Sequence, residues 1–226
     1  MFHNILAIYV NTKYHYIMIL DEKKQVKHEF LNNLAFDGWN QAALEKAVES
    51  LGKEKIYAEI LFPGGIKEFT KFFADECNEK LEERAKDILA TEMRLSEKVE
   101  EIIFEKIKIY HDEIGSLSGV QKFSGYCACP NNLTFTMQNI YEFSSEVWYM
   151  LKDKSTDFSY YTKRISLGTI YSNCFLYSIS DDSENLEKTR AYIKRNIDGL
   201  MKFNKLKQKF KNLTPSSNFE FKNKSA

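Results

Sequence analysis

Only three prolines and nine glycines punctuate the 226 residues. That scarcity excludes a sandwich or barrel with a turn about every ten residues. The four cysteines, Cys77, Cys127, Cys129 and Cys174, are too scattered for a disulfide framework. Only Cys127 and Cys129 lie close, and their spacing rarely suits a bridge, so all four are read as reduced thiols of a reducing compartment. His3, His15, His28 and His111 form no ligand pair at helical spacing, and no Cys-x-x-Cys occurs, which argues against a metal site. No apolar run approaches the length of a membrane span. Net charge is missing too: 32 Lys and Arg balance 32 Asp and Glu, unlike a strongly basic nucleic-acid binder. What is present is apolar and aromatic, 43% and 14% of the residues, so the chain is not globally disordered. Its length allows one large or two small domains with a real core.

The charge balance hides an asymmetry. Residues 188–226 hold eleven basic and two acidic side chains, a local +9 that leaves −9 on the body. The opening also stands apart. Asn4 to Val10 and Tyr16 to Leu20 read as β-prone, broken by Asn11, Thr12, Lys13 and His15. With no basic leader, small-residue cleavage site or Arg-rich presequence, this opening is not read as a targeting signal. Two readings stand for it: a small strand or loose extension, or read-through upstream of a start at Met18.

From Asp21 onward the pattern is helical. Asn40 caps a run with Ala43, Leu44, Ala47, Val48 and Leu51 on one face, and Gly52 stops it. Pro63-Gly64-Gly65 breaks the chain before a helix from about Ile66 to Leu89 with Phe69, Phe72, Phe73, Cys77 and Leu81 on a stripe. A helix over about Leu95–Tyr110 groups Val99, Ile102, Ile103, Lys106 and Ile107. Gly115, Gly119 and Gly125 bracket a shorter helix, and Pro130 opens one that runs to Met150. Further helices are predicted from Phe158 to about Ser180 and from Leu186 to about Leu213. The fold class is all-α, with eight to ten helices and no repeat.

Two segments carry more information. Residues 36–73 outline a helix-turn-helix like that of TetR-type regulators. Its short second helix, Lys53-Glu54-Lys55-Ile56-Tyr57-Ala58-Glu59-Ile60, offsets two lysines with two glutamates and offers no Arg or Asn to DNA. The shape is expected without the electrostatics. The second segment, Trp148 to Arg164, surrounds a polar turn with aromatics. Ser155, Thr156 or Asp157 suits a helix cap. Arg164 suits either a phosphate or carboxylate ligand or an acidic neighbour within the core.

Phe36-Asp37-Gly38-Trp39, Leu61-Phe62-Pro63-Gly64-Gly65 and Asp153-x-Ser155-Thr156-Asp157-Phe158-x-x-Tyr161-Thr162-Lys163-Arg164 occur in that order. Together they resemble the ubiquinone-biosynthesis accessory family known as the ninth Coq protein, from about Asp21 to Met201. The resemblance implies an all-α, TetR-like helical bundle with a degenerate amino-terminal helix-turn-helix and a carboxy-terminal ligand-binding domain. It implies a non-catalytic homodimer that binds phospholipid and isoprenoid quinone intermediates and presents them to the demethoxyubiquinone hydroxylase. Lipid contact falls to Arg164, Tyr161 and Phe175. Docking of the hydroxylase falls to Val147, Trp148, Tyr149, Tyr160 and Tyr161. Three positions depart from the family: Ser145 replaces Asp, Lys152 replaces Gly and Tyr160 replaces Trp. A bacterial inner-membrane surface, or the matrix side of the mitochondrial inner membrane in a eukaryote, is the implied location. No cofactor, metal or nucleic acid is expected. The other reading carried forward is a TetR-type regulator with a hydrophobic effector.

A lipid tail needs a helix-lined cavity with one polar mouth, for which Phe72, Phe73, Phe104, Ile107, Phe143, Ile165 and Phe175 are candidates. The last helix alternates Ile193, Ile197, Leu200, Phe203, Leu206, Phe210 and Leu213 with basic residues. Its first half suits packing on the body. From Lys202 the pattern suits an anionic membrane surface, with Lys202, Phe203, Lys205, Leu206, Lys209 and Phe210 in contact. The expected divisions are an extension (1–20), the degenerate helix-turn-helix (21–74), the lipid-binding domain (75–186), the basic helix (187–213) and a disordered tail (214–226).

Overall fold

The computed structural model describes the backbone of residues 2–213 and side chains within 17–205, excepting 157 and 204. The tail expected over 214–226 lies outside the described residues. Nine α-helices and no strand occur among those described: α1 (Phe2–Asp37), α2 (Gln41–Ser50), α3 (Tyr57–Leu61), α4 (Ile66–Ala90), α5 (Leu95–Ile114), α6 (Leu117–Ala128), α7 (Pro130–Met150), α8 (Asp157–Ser178) and α9 (Glu187–Leu213).

The opening corrects the sequence reading. Residues 2–37 form one helix, so the β-prone composition of the first twenty residues did not decide their conformation. β-propensity is a weak prior that helical continuation overrides. Further along α1, Val26, Phe30 and Leu34 recur every four residues and are buried. Phe30 meets Trp39, which follows the left-handed Gly38 at φ +75°. Trp39 then packs against Phe69, Phe73 and Phe123 at centroid distances of 5.8, 5.2 and 4.6 Å. Here α1, the turn after it, α4 and α6 share one aromatic core.

Capping explains the boundaries read from the sequence. Asn40 Oδ1 accepts from Ala43 N–H at 2.9 Å to start α2. At its end Gly52 N–H bonds Glu49 O and Lys53 N–H bonds Val48 O, the paired bonds of a left-handed helix stop. The same pair closes α7, with Lys152 N–H on Tyr149 O and Asp153 N–H on Trp148 O. Lys152 therefore takes a left-handed φ of +55°, which explains why glycine suits that place.

Helix α5 is the centre. It packs against α1, α4, α6, α8 and α9. Accordingly its buried residues, from Val99 through Ile103, Ile107 and Ile109 to Ile114, cover more than half of its circumference, leaving Glu101, Glu105, Lys108 and Asp112 on the remaining face. Lys27 of α1 bridges Glu76 of α4 at 2.7 Å and Glu113 of α5 at 3.3 Å, and Lys80 also pairs with Glu113. Burial pushes the Glu113 carboxyl up, but Lys80 and Lys27 outweigh it and hold it below its ordinary value. At Gly168 an added methyl would lie 3.0 Å from Ile140 Cγ2, so glycine permits the close approach of α7 and α8.

Candidate lipid cavity and the α7–α8 junction

An apolar cavity of about 260 Å³ lies between α4, α5, α6, α7 and α8. Phe123, Phe143, Tyr171 and Phe175 supply aromatic walls. Of the wall positions expected from sequence, Phe143 and Phe175 line it; Phe72, Phe73, Phe104 and Ile107 do not. Ile165 is 64% exposed, on the outer face of α8.

Four polar groups of the wall are spent on nearby backbone. Thr70 Oγ1 donates to Ile66 O, Thr136 Oγ1 to Cys127 O, Asn139 Nδ2 to Phe135 O and Ser172 Oγ to Gly168 O. Lys106 is different. It is 2% exposed, and its ammonium donates to Asn78 Oδ1. It also lies 4.9 Å from the Tyr110 ring centroid and 5.6 Å from that of Phe143. No carboxylate among the described residues comes within ion-pair distance of it. Burial pushes its amine down to about 8. The sequence pattern placed Lys106 on the apolar stripe of α5 without assigning it a role; a lysine on such a stripe was the available signal. The cavity opens beside Leu133, Met137 and Leu176, which are 49%, 60% and 53% exposed. The expected polar mouth is therefore corrected: the rim is apolar and the charge lies deep, because Lys106 sits on the central helix.

The α7–α8 junction gathers the other site residues differently from expectation. Arg164 is buried, donates from Nη1 to Tyr160 O at 3.1 Å and stacks 3.3 Å over the Tyr160 ring. It has no acidic partner among the described residues and does not line the cavity. Its Nε, like Trp148 Nε1 and Ser145 Oγ, is buried without a hydrogen-bond partner among the described residues. Tyr161 is 58% exposed and also outside the cavity, so only Phe175 of the three lipid candidates lies in it. Val147 is fully buried and is corrected to a core residue, since its place on α7 faces the bundle. Trp148 is half-buried with the Lys163 ammonium 5.1 Å from its ring. Lys163 also pairs with Asp153 at 2.5 Å. Ser155 donates to Asp153 rather than capping α8. Tyr149 is exposed, as are Phe158, Tyr161 and Ile165, which share one face of α8 at three- and four-residue spacing.

The helix-turn-helix outline persists as α2, α3 and the start of α4, but its lysines are engaged. Lys53 lies 3.6 Å from Glu22, and Lys55 lies 3.9 Å from Glu49. Tyr57 Oη donates to Glu22 at 2.5 Å. A phosphate backbone would meet carboxylates here.

Residues 133–204, from the cavity rim through α8 into α9, match the COQ9 family model. Similar proteins include ubiquinone biosynthesis protein coq9, mitochondrial, of Schizosaccharomyces pombe, 26% identical over 88% of this chain and 78% of that one. They also include the probable coq9 protein of Dictyostelium discoideum, 27% identical over 75% and 56% of the two chains. The human COQ9 protein is 22% identical over 80% of this chain and 59% of its own. The chain is thus similar to the COQ9 proteins. It spans little more than half the length of the Dictyostelium and human ones. The fold also matches a TetR transcriptional regulator from Nitrosomonas europaea, with a TM-score of 0.60 at 16% identity, over 79% of this chain and 97% of that one. The bundle is thus TetR-like, as the COQ9 resemblance implied.

All four cysteines are free, and burial pushes the Cys77, Cys127 and Cys174 thiols up to about 12, so they stay protonated. His111 Nε2 meets Ser178 Oγ at 3.0 Å, but that hydroxyl is fully buried and donates to Phe175 O. No cluster that could hold a metal occurs among the described residues. Nor is any described helix long and apolar enough to cross a membrane.

The first half of helix α9 packs on the body. Ile193 and Ile197 are buried, Arg190 pairs with Glu101 over the Phe104 ring, and Tyr192 stacks on Tyr177 at 4.2 Å. Lys202, Phe203 and Lys205 are exposed. The side chains of Leu206, Lys209 and Phe210 lie outside the described residues.

Proposed function

We propose that this chain is a non-catalytic, lipid-binding accessory protein of ubiquinone biosynthesis that takes up isoprenoid quinone intermediates or phospholipid at a membrane surface. The observation that carries this reading is the apolar, aromatic-walled cavity beneath the segment that matches the COQ9 family. Such a space excludes water and accepts an apolar guest without rearranging the bundle. The exposed basic and aromatic residues after Leu200 support contact with anionic lipid. The apolar face of Phe158, Tyr161 and Ile165, with Tyr149 on the last turn of α7, supports a protein partner, the pathway hydroxylase.

Organic extraction of the purified full chain, followed by mass spectrometry, tests the lipid role. Co-purifying prenylated or phospholipid species are expected. Lipid-free protein with no affinity for anionic vesicles would overturn the reading. Ending the chain after Met201 is expected to weaken vesicle binding while leaving the helical circular dichroism of the bundle intact. For docking, Tyr161→Glu is expected to lower capture of the hydroxylase, and unchanged capture would remove that face from the proposal.

A further inference from the structure

The cavity has a direction. At its enclosed end Lys106 and Asn78 sit among Tyr110, Phe143 and Tyr171, all less than one-tenth exposed except Asn78, which is half-buried. At its open end the rim side chains Leu133, Met137 and Leu176 are apolar and about half exposed. An ammonium can donate three hydrogen bonds, and Lys106 has one described acceptor, Asn78 Oδ1. The neighbouring aromatic faces stabilise the charge partly, but they are not acceptors of the strength of an oxygen. Thr70, Thr136, Asn139 and Ser172 of the wall already donate to nearby backbone. An ammonium with donors to spare therefore sits at the end of an apolar, ring-lined space.

The size restricts what can reach it. A cavity of about 150 Å³ holds benzene, so the 260 Å³ here suits one substituted ring and a short length of chain, not a phospholipid headgroup with its acyl chains. Aromatic walls favour a flat ring by offset and edge contacts.

Resting on the lipid-binding reading of this cavity, we propose that Lys106 anchors the oxygenated ring of a prenylated aromatic ligand, which enters ring-first with its chain trailing past Leu133, Met137 and Leu176. A ring carbonyl or phenolic oxygen accepts from the Lys106 ammonium. The chain replaces water against the rim. Arg164, stacked on Tyr160 outside the cavity, takes no part.

The test uses the full chain and two probes with the same tail: decylubiquinone, a benzoquinone on a decyl chain, and decylbenzene, whose ring carries no oxygen. Wild type is expected to bind decylubiquinone the more tightly. Lys106→Met, which keeps the length of the side chain, is expected to lose about tenfold or more of its quinone affinity and to keep its affinity for decylbenzene. Unchanged quinone affinity in a Lys106→Met protein that still binds decylbenzene would overturn the ring-first anchor and leave lipid binding standing. Wild type that takes up neither probe would overturn both. Should Lys106→Met fail to fold by circular dichroism, uniformly 13C-labelled wild type gives the Lys106 Cε–Hε signal its own NMR titration. The charged or titratable groups that bear on it are Cys77, Glu146, Asp75 and Lys71. Its midpoint is expected to rise with decylubiquinone bound, relative to decylbenzene; an unchanged midpoint overturns the anchor.

Discussion

The Trp39 indole Nε1 donates a 2.9 Å hydrogen bond to Thr70 Oγ1, joining the turn after α1 to a residue of the cavity wall. Thr70 Oγ1 in turn donates to Ile66 O on the preceding turn of α4. The aromatic core and the cavity are thus fixed to one another by a buried side-chain bond, and the cavity keeps its shape only while that core is packed.

Trp39→Phe retains a ring against Phe30 and Phe123 but removes the indole donor and part of the packing. Urea denaturation should report a loss of about 1–3 kcal/mol. Circular dichroism before denaturation should show the same helix content, because α2 and α4 keep their caps.

Lys106→Met should stabilise the fold. Burial lowers the Lys106 amine from its ordinary 10.5 to about 8, so below that pH the folded chain holds a charge that would rather be in water. Between about pH 8 and 10.5 the unfolded chain binds a proton that the folded one has released, and stability from this group rises with pH. The melting temperature of Lys106→Met should therefore exceed that of wild type at pH 7, and the gap should narrow as pH approaches 9. Comparing the two proteins at each pH cancels the buried thiols and phenols, which act in the opposite direction at higher pH.

Asp181→Ala should be strongly destabilising. The buried carboxylate accepts from Ser183 N–H and Oγ–H and from Thr189 N–H and Oγ1–H, joining the end of α8 to the first turns of α9. Removing it strands two backbone donors, for a loss of about 2–3 kcal/mol. Burial raises its carboxyl, but the Ser183 and Thr189 bonds outweigh that and hold it below the ordinary 3.8. Its contribution is present above that ordinary value and fades as pH falls through the lowered one. Thermal melts of wild type and Asp181→Ala should converge below about pH 4.

Lys152→Gly should stabilise by about 1 kcal/mol, since a side chain at φ +55° carries a steric penalty that glycine lacks. The lysine side chain is exposed, so little contact is lost. A rise in denaturation midpoint without a change in its slope would check this.

Local chemistry made much of the fold legible from sequence. Asn40, Gly52, Gly115 and Pro130 mark helix ends through caps, left-handed stops and a missing N–H, and these act within a few residues. Helix α1 was not legible, because the β-branched and aromatic residues before Met18 carry only a weak preference that helical continuation overrode. The site was legible by halves. Phe143 and Phe175 belong to periodic apolar faces, which mark burial but not whether the buried face meets another helix or a cavity. Arg164 and Val147 took their lipid and docking roles from the family resemblance, which carries residue identity but not the direction in which a side chain packs. Lys106 stood within an apolar stripe, yet only the packing of five helices shows that its ammonium ends at a cavity and not at the surface.

An apolar rim over a charged floor also sets an order of departure. A guest whose ring is held at Lys106 leaves chain-first, so any acceptor must grip the tail before it meets the ring. Until that handover is well advanced, the oxygenated ring stays out of reach of soluble oxidants and reductants. The cavity then acts as a scabbard for the reactive end, drawn only when something has hold of the hilt.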